Sequence, residues 1–326
     1  MSRAVVSALA GFVGVPALLA IYIVGIERLL RQVSIRRRRA LQPWLWLAPA
    51  LLFVAVFLVY PVGYTLVLSC LGPASRGFVG LANYRFALTN PGMILAFQNT
   101  LLWLVGFSAL TVLCGLVLAL LTDRVPYGAA ARTVLFLPQT ISFVAAGVTW
   151  KFVYAFRPAG DPQIGLLNAL LVSVGRTLNP VAWLVVPWVN TLALILVAVW
   201  VWTGFCVVVL LAALRGIPPD LTEAARVDGT SEWQLLRAVT LPLLGPTIGV
   251  VTTTLVIFAL RAFDIIYVMT SGNFGTEVIA SRMYKEMFTF QNFGRASAIA
   301  TLLLAATSPA IAANVRRFRR PPEGES

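Results

Sequence analysis

The chain has 326 residues, 59% of them hydrophobic and only 11% charged, whereas soluble domains carry about 25% charged residues, so the composition is that of an integral membrane protein. The net charge of +13 is then explained by basic loops beside membrane spans rather than by nucleic-acid binding. Histidine is absent, which excludes His-based catalysis and His metal sites, and Cys70, Cys114 and Cys206 lie in apolar segments without metal-ligand or disulfide spacing.

Seven apolar runs are long enough for a bilayer, which takes about 20 helical residues. They lie near 4–26, 44–70, 95–121, 131–156, 189–214, 243–269 and 296–315. The first exceeds the roughly 7–15 residues of a signal-peptide core, and "RLLRQVSIRRRR" follows it as a stop-transfer signal, so it reads as a retained helix. The fold class is therefore all-α, with about seven transmembrane helices.

Fifteen of the 25 Lys and Arg fall in one set of connections if the segment after the first span is cytoplasmic; eight fall in the other set, and Lys151 and Arg261 lie within spans. Arg36–Arg39, Arg124, Arg215 and Arg226 are among the fifteen. This asymmetry predicts an amino terminus outside and a carboxyl terminus in the cytoplasm. Turn signals mark the outer connections at Thr89–Gly92, Arg157–Pro162 and Thr177–Pro180. Trp44, Trp46, Trp183 and Trp188 stand near span ends, where an aromatic belt is expected. The chain divides into 1–42 (helix and basic linker), 43–94 (second helix and outer loop), 95–316 (core, with a polar loop at 215–242) and a tail at 317–326.

The polar loop contains "EAARVDGTSEWQLLRAVTLPLLGP", Glu223 to Pro246. Pro219 followed by Asp220 as N-cap, with Glu223 three residues on, predicts a helix start. Asp228-Gly229 predicts its end, because glycine takes the left-handed conformation readily. Ser231 and Gln234 form a second capping box, and Leu235, Leu236 and Val239 give that helix an apolar face. Pro242 and Pro246 flank the entry to the next span. The prediction is two short helices joined by a tight turn at the cytoplasmic surface. Taken singly, these features also fit an ordinary capped loop. Together they describe a short helix with a small-residue face, and with a carboxylate suited to a partner's arginine.

"EAARVDG", followed at a distance by Pro242, resembles the Glu-Ala-Ala loop of binding-protein-dependent ABC importer permeases. Thr230 stands where the family often has Ala. "FVGLANYRFALTNP", "RTVLFLPQTISFVAAGVTWKFVYAFRPAG" and "NFGTEVIASRMYKEMFTFQNFGRASAIA" are similar to carbohydrate permeases, those for alpha-glucosides in particular. The resemblance implies a type I importer permease with a six-span core and an extra N-terminal helix, in the bacterial inner membrane. It implies that Glu223, Ala224, Ala225, Asp228, Gly229 and Pro242 form the coupling loop for a cytoplasmic ABC ATPase dimer. It further implies a second homologous permease subunit, an extracytoplasmic sugar-binding protein and a sugar substrate.

The residues themselves offer no Walker A pattern, paired catalytic carboxylates or metal cluster, so no cofactor and no enzymatic activity are expected of this chain alone. Candidate substrate-path residues are the polar and aromatic groups inside spans. Arg261 and Asp264 stand three apart on one expected helix face. Gln139 follows Pro138, with Ser142 on the same expected face, and Trp200 lies mid-span. Helix packing is the rival explanation for each. An ion-coupled secondary sugar transporter is the main alternative function, and only Asp264 approaches the intramembrane carboxylate it would need.

Overall fold

The computed structural model describes residues 2–174 and 179–318. Arg176, Arg319, Arg320, Ser326 and the first half of the Thr177–Pro180 turn lie outside the described residues. In chain order the helices are α1 (Ser2–Arg31), α2 (Ile35–Val54), α3 (Tyr60–Ser69), α4 (Ala82–Thr89), α5 (Pro91–Leu102), α6 (Ser108–Asp123), α7 (Gly128–Phe136) and α8 (Phe143–Val153). They continue with α9 (Leu166–Val174), α10 (Val189–Arg215), α11 (Pro219–Val227), α12 (Glu232–Leu235), α13 (Leu241–Leu260), α14 (Asp264–Thr270), α15 (Ile279–Tyr284) and α16 (Phe293–Phe318). The described residues contain no strand. Two compact units emerge, Met1–Thr65 and Leu66–Ser326.

Four continuous helices are apolar and long enough to cross a bilayer: Ile35–Ser69, Pro91–Asp123, Val189–Arg215 and Glu232–Leu260. A fifth span is the pair Gly128–Thr140 and Phe143–Val153, bent by 102°. The helices α1 and α16 run 30 and 26 residues through apolar sequence, more than the roughly 20 that a span needs. Five of the seven predicted runs thus appear as spans, one of them bent, and the first and last fall on the long helices α1 and α16.

In the first unit, Tyr22 Oη donates to the Leu45 carbonyl at 2.5 Å, tying α1 to α2. None of the apolar stretch of Ile35–Ser69 is buried within the chain, which suits contact with lipid. A π turn at Ala55–Val59 interrupts it, closed by the Tyr60 N–H on the Ala55 carbonyl, immediately before Pro61. The same device recurs at Leu236–Thr240, closed by the Leu241 N–H on Leu236 just before Pro242. Proline has no N–H to give to the carbonyl four residues back, and the wider π turn keeps the helix running.

The second unit is built around α10. Its sequence is apolar all round, and two-thirds of its apolar stretch is buried, as expected for a central helix. Leu194, Ile195, Val197, Cys206, Val207 and Leu210 pack there with Trp103 and Phe107 of the Pro91–Asp123 helix and with Leu255 and Ile266. Gly204 lets the backbone of the bent span approach: a Cβ there would meet the Leu135 carbonyl oxygen at 2.3 Å. Ala87, Met93, Ala96, Ile279 and Ile299 form a second, smaller core.

Beside the start of α10 the loop after α14 carries Ser271, Gly272, Phe274 and Gly275 at positive φ. Asn99 Nδ2 donates to the Gly275 and Glu277 carbonyls at 2.6 and 2.8 Å, and Asn190 Nδ2 to the Phe274 carbonyl at 2.7 Å. Beneath it Arg282 pairs with Glu286 at 2.8 Å and with Glu277 at 3.4 Å, and Lys285 reaches Glu277 at 2.8 Å. The paired cations offset the cost of burying these two carboxylates.

Candidate functional site

The polar loop after α10 folds as a helix, a turn and a helix start, though not with the predicted caps. Pro218 is the N-cap of α11 and no side chain caps that end. Pro219 is preset for the first helical position, so the helix begins two residues earlier than expected. Asp220 is therefore inside the first turn, where its charge complements the helix dipole. The predicted box with Glu223 does not form either: with Pro218 as N-cap, Leu221 holds the third helical position. Glu223 is instead exposed, as is Ala224, while Ala225 is half-buried. Leu221, at 46% exposure, and Val227, at 86%, extend the exposed stripe along α11.

The exit from α11 is as predicted. Gly229 has φ +81°; its N–H donates to the Arg226 carbonyl and that of Thr230 to the Ala225 carbonyl. This pair of bonds is the Schellman arrangement that needs a left-handed residue. Asp228 is exposed at the helix end. The capping box is present as well: the Gln234 N–H donates to Ser231 Oγ, and Gln234 Oε1 accepts from the Ser231 N–H at 2.8 Å. The second helix is not a separate element, however. It continues through the π turn and Pro242 into α13, one helix from Glu232 to Leu260.

Ion pairs mark where the island sits. Glu232 Oε2 accepts from Arg124 Nη2 at 2.6 Å, and its Oε1 lies 3.3 Å from Arg226 Nε. Arg215 pairs with Asp123 at 2.9 Å. The ends of α6 and α10 therefore share one face with the island, and a cavity of about 520 Å³ lies between them. Glu232 precedes the apolar run of its helix. The hydrogen bond from Arg124 holds its carboxyl below the ordinary glutamate range against a smaller opposing effect of desolvation, and Arg226 adds a lesser lowering. Sequence inspection missed this fork because Arg124 and Glu232 stand 108 residues apart.

The candidate path residues are only partly brought together. The bend between Gly128–Thr140 and Phe143–Val153 falls between Gln139 and Ser142, so they do not share a helix face as expected. Gln139 lies in a short 3-10 turn, Leu137–Thr140, and its buried Oε1 has no hydrogen-bond partner. Ser142 is the N-cap of α8, accepting from the Ala145 N–H at 3.2 Å. Trp200 stands edge-on to Trp150 with centroids 5.6 Å apart, and Trp150 continues to Tyr154 at 5.2 Å. Arg261 and Asp264 also fail to share a face: α13 ends at Leu260 and α14 begins at Asp264. Both are exposed and form no ion pair with each other among the described residues. Next to Asp264 runs an unpredicted aromatic ladder, Phe263, Tyr267, Tyr284 and Phe288, with neighbouring centroids 5.1, 5.0 and 4.8 Å apart.

A bundle of membrane spans with a capped polar island at one end is a recurrent design, and residues 111–320 match the family described as the binding-protein-dependent transport system inner membrane component. The chain belongs to this family. The permease is 52% identical over 275 residues to the osmoprotective compounds uptake permease protein GgtC of Synechocystis, covering 84% of this chain and 98% of that protein. It is 42% identical over 288 residues to the alpha-glucoside transport system permease protein AglF of Rhizobium meliloti, covering 88% of this chain and 85% of that one. A crystal structure of a bacterial ABC transporter involved in the import of the acidic polysaccharide alginate superposes with a TM-score of 0.70 at 25% identity, over 87% of this chain and all of that one. The permease is thus a multi-pass inner membrane transport subunit of the importer type, and not an enzyme by itself.

Proposed function

We propose that this permease forms half of the translocation pathway of an ABC importer for a small polyhydroxylated solute of the alpha-glucoside class. A second, homologous permease supplies the other half, an extracytoplasmic sugar-binding protein delivers the solute, and a cytoplasmic ABC ATPase dimer drives alternating access. The island is the docking element, and its exposed stripe carries the proposal. Leu221, Ala224 and Val227 recur at helical spacing on α11 and are exposed, although each is apolar or small. A helix of this kind seats its apolar face in a groove of a partner. Glu223 beside it supplies a carboxylate for a partner arginine, and Ala225, Asp228, Gly229 and Pro242 set the helix, its exit and the entry to the next span. The island then faces the cytoplasm, with the amino terminus outside. Residues 95–316 form the permeation core, 1–42 an added anchor and 317–326 a tail.

The solute assignment rests on the alpha-glucoside and osmoprotective compound permeases among the relatives and on the groups at the bend. Gln139 Oε1, buried and without a partner, is an acceptor for a sugar hydroxyl. An indole face such as that of Trp200 suits the C–H face of a sugar ring. Ser142, Arg261 and Asp264 are exposed polar groups along the same half-pathway. Reconstitution with the ATPase, the second permease and the binding protein tests the proposal: ATP-dependent uptake of an alpha-glucoside is expected to be competed by related glucosides. Uptake that follows an imposed ion gradient instead, without ATP, would reject it in favour of secondary transport.

A further inference from the structure

Resting on the docking function of the island, we infer that Glu232 is the positioning residue that carries movement of the docked helix α11 into the membrane bundle. The island does not lie flat on the bundle. A cavity lined by Leu120, Arg124, Leu214, Trp233 and Leu236 separates α11 from the ends of α6 and α10. One carboxylate bridges that space. Its Oε2 accepts from Arg124 at 2.6 Å, and its Oε1 sits 3.3 Å from Arg226. Arg226 is in the last turn of α11, Arg124 immediately follows α6, and Glu232 opens the helix that becomes α13. Three elements therefore meet at a single side chain. The neighbouring residue Asp123 then holds Arg215 at 2.9 Å, which extends the link to the end of α10. That helix carries Trp200 and Gly204 farther along.

In open water such a pair contributes little, because both side chains are more than half exposed. An ATPase seated on the island excludes water and lowers the effective dielectric, which strengthens the pair. The fork also has a fixed geometry: two oxygens engage donors on two different elements, so it resists displacement in more than one direction. The capping box of Ser231 and Gln234 encloses Glu232 at the helix start.

The test uses the assembled transporter in proteoliposomes, with ATP hydrolysis and solute uptake measured side by side. Glu232→Gln keeps the shape and removes the charge. It is expected to assemble with the ATPase and hydrolyse ATP at near wild-type rate, while the ATP consumed per solute imported rises roughly 2- to 30-fold. Arg124→Gln is expected to do the same, and the double variant to be no worse than either single one, because both remove one interaction. A wild-type ratio in Glu232→Gln, or additive losses in the double variant, would overturn the inference. Loss of ATPase assembly in both single variants would also overturn it, by making the pair part of the docking surface or of the fold. If the wild-type permease itself fails to hold the ATPase, the docking function falls instead.

Discussion

Replacing Gly204 by Ala tests the central packing of the bundle. The new Cβ would stand 2.3 Å from the Leu135 carbonyl oxygen and 2.6 Å from Phe136 Cα. Ordinary contact begins near 3.4 Å, so the bent span and α10 must separate by about 1 Å. Every crowding atom belongs to backbone, so no rotamer change relieves it. Overpacking of this kind costs about 1–3 kcal/mol. Gly→Ala in a helix also gains up to about 1 kcal/mol of propensity, and a control must remove that contribution. Gly63, in α3, has no atom within 4 Å of a built Cβ, so Gly63→Ala takes the gain without the clash. The two variants should then differ by about 1–3 kcal/mol, which is roughly 2–10 °C in melting temperature for a unit of this size. Thermal unfolding of the purified permease in one detergent, followed by intrinsic fluorescence, measures it. Gly204→Ala melting at or above Gly63→Ala would refute the close approach of α10 to the bent span. The bend holding Gln139 moves in the same change, so uptake is expected to fall as well.

Glu223→Ala is expected to weaken ATPase assembly by roughly 1.5–3 kcal/mol through the lost charge-assisted contact, without affecting membrane insertion; wild-type assembly and transport would remove Glu223 from the docking surface. Gly229→Val must hold a β-branched residue at φ +81°, costing about 1–2 kcal/mol, and should lower transport by misaiming α11; normal transport would show that the turn does not set the docking angle. Gln139→Ala and Trp200→Ala should change the order in which sugars compete for uptake while the melting temperature of the complex holds. A lowered melting temperature with an unchanged sugar preference would assign both residues to packing. Single cysteines placed at Ser2 and Asp161 in a cysteine-free background should react with an impermeant maleimide in right-side-out vesicles, and one at Glu223 should not; strong labelling at 223 would invert the orientation.

The primary sequence by itself determined the features that depend on neighbours along the chain. The apolar spans were legible because a bilayer demands about 20 apolar residues in succession, whatever they later pack against. The exit of α11 at Gly229 and the box of Ser231 with Gln234 were legible because both are closed by bonds across fewer than six residues. The helix start was misplaced at Asp220 because Pro218 and Pro219 settle it through ring geometry, which overrides a capping preference. Only the tertiary structure decided the rest. It broke the spans between Gln139 and Ser142 and between Arg261 and Asp264, so periodicity counted along an unbroken helix put those pairs on faces they do not share. It left Gln139 Oε1 buried without a partner, set Trp200 against Trp150, and brought Arg124 to Glu232 across 108 residues. A local pattern carries no information about such pairings, because their energy comes from helices that meet only after the chain has crossed the membrane several times.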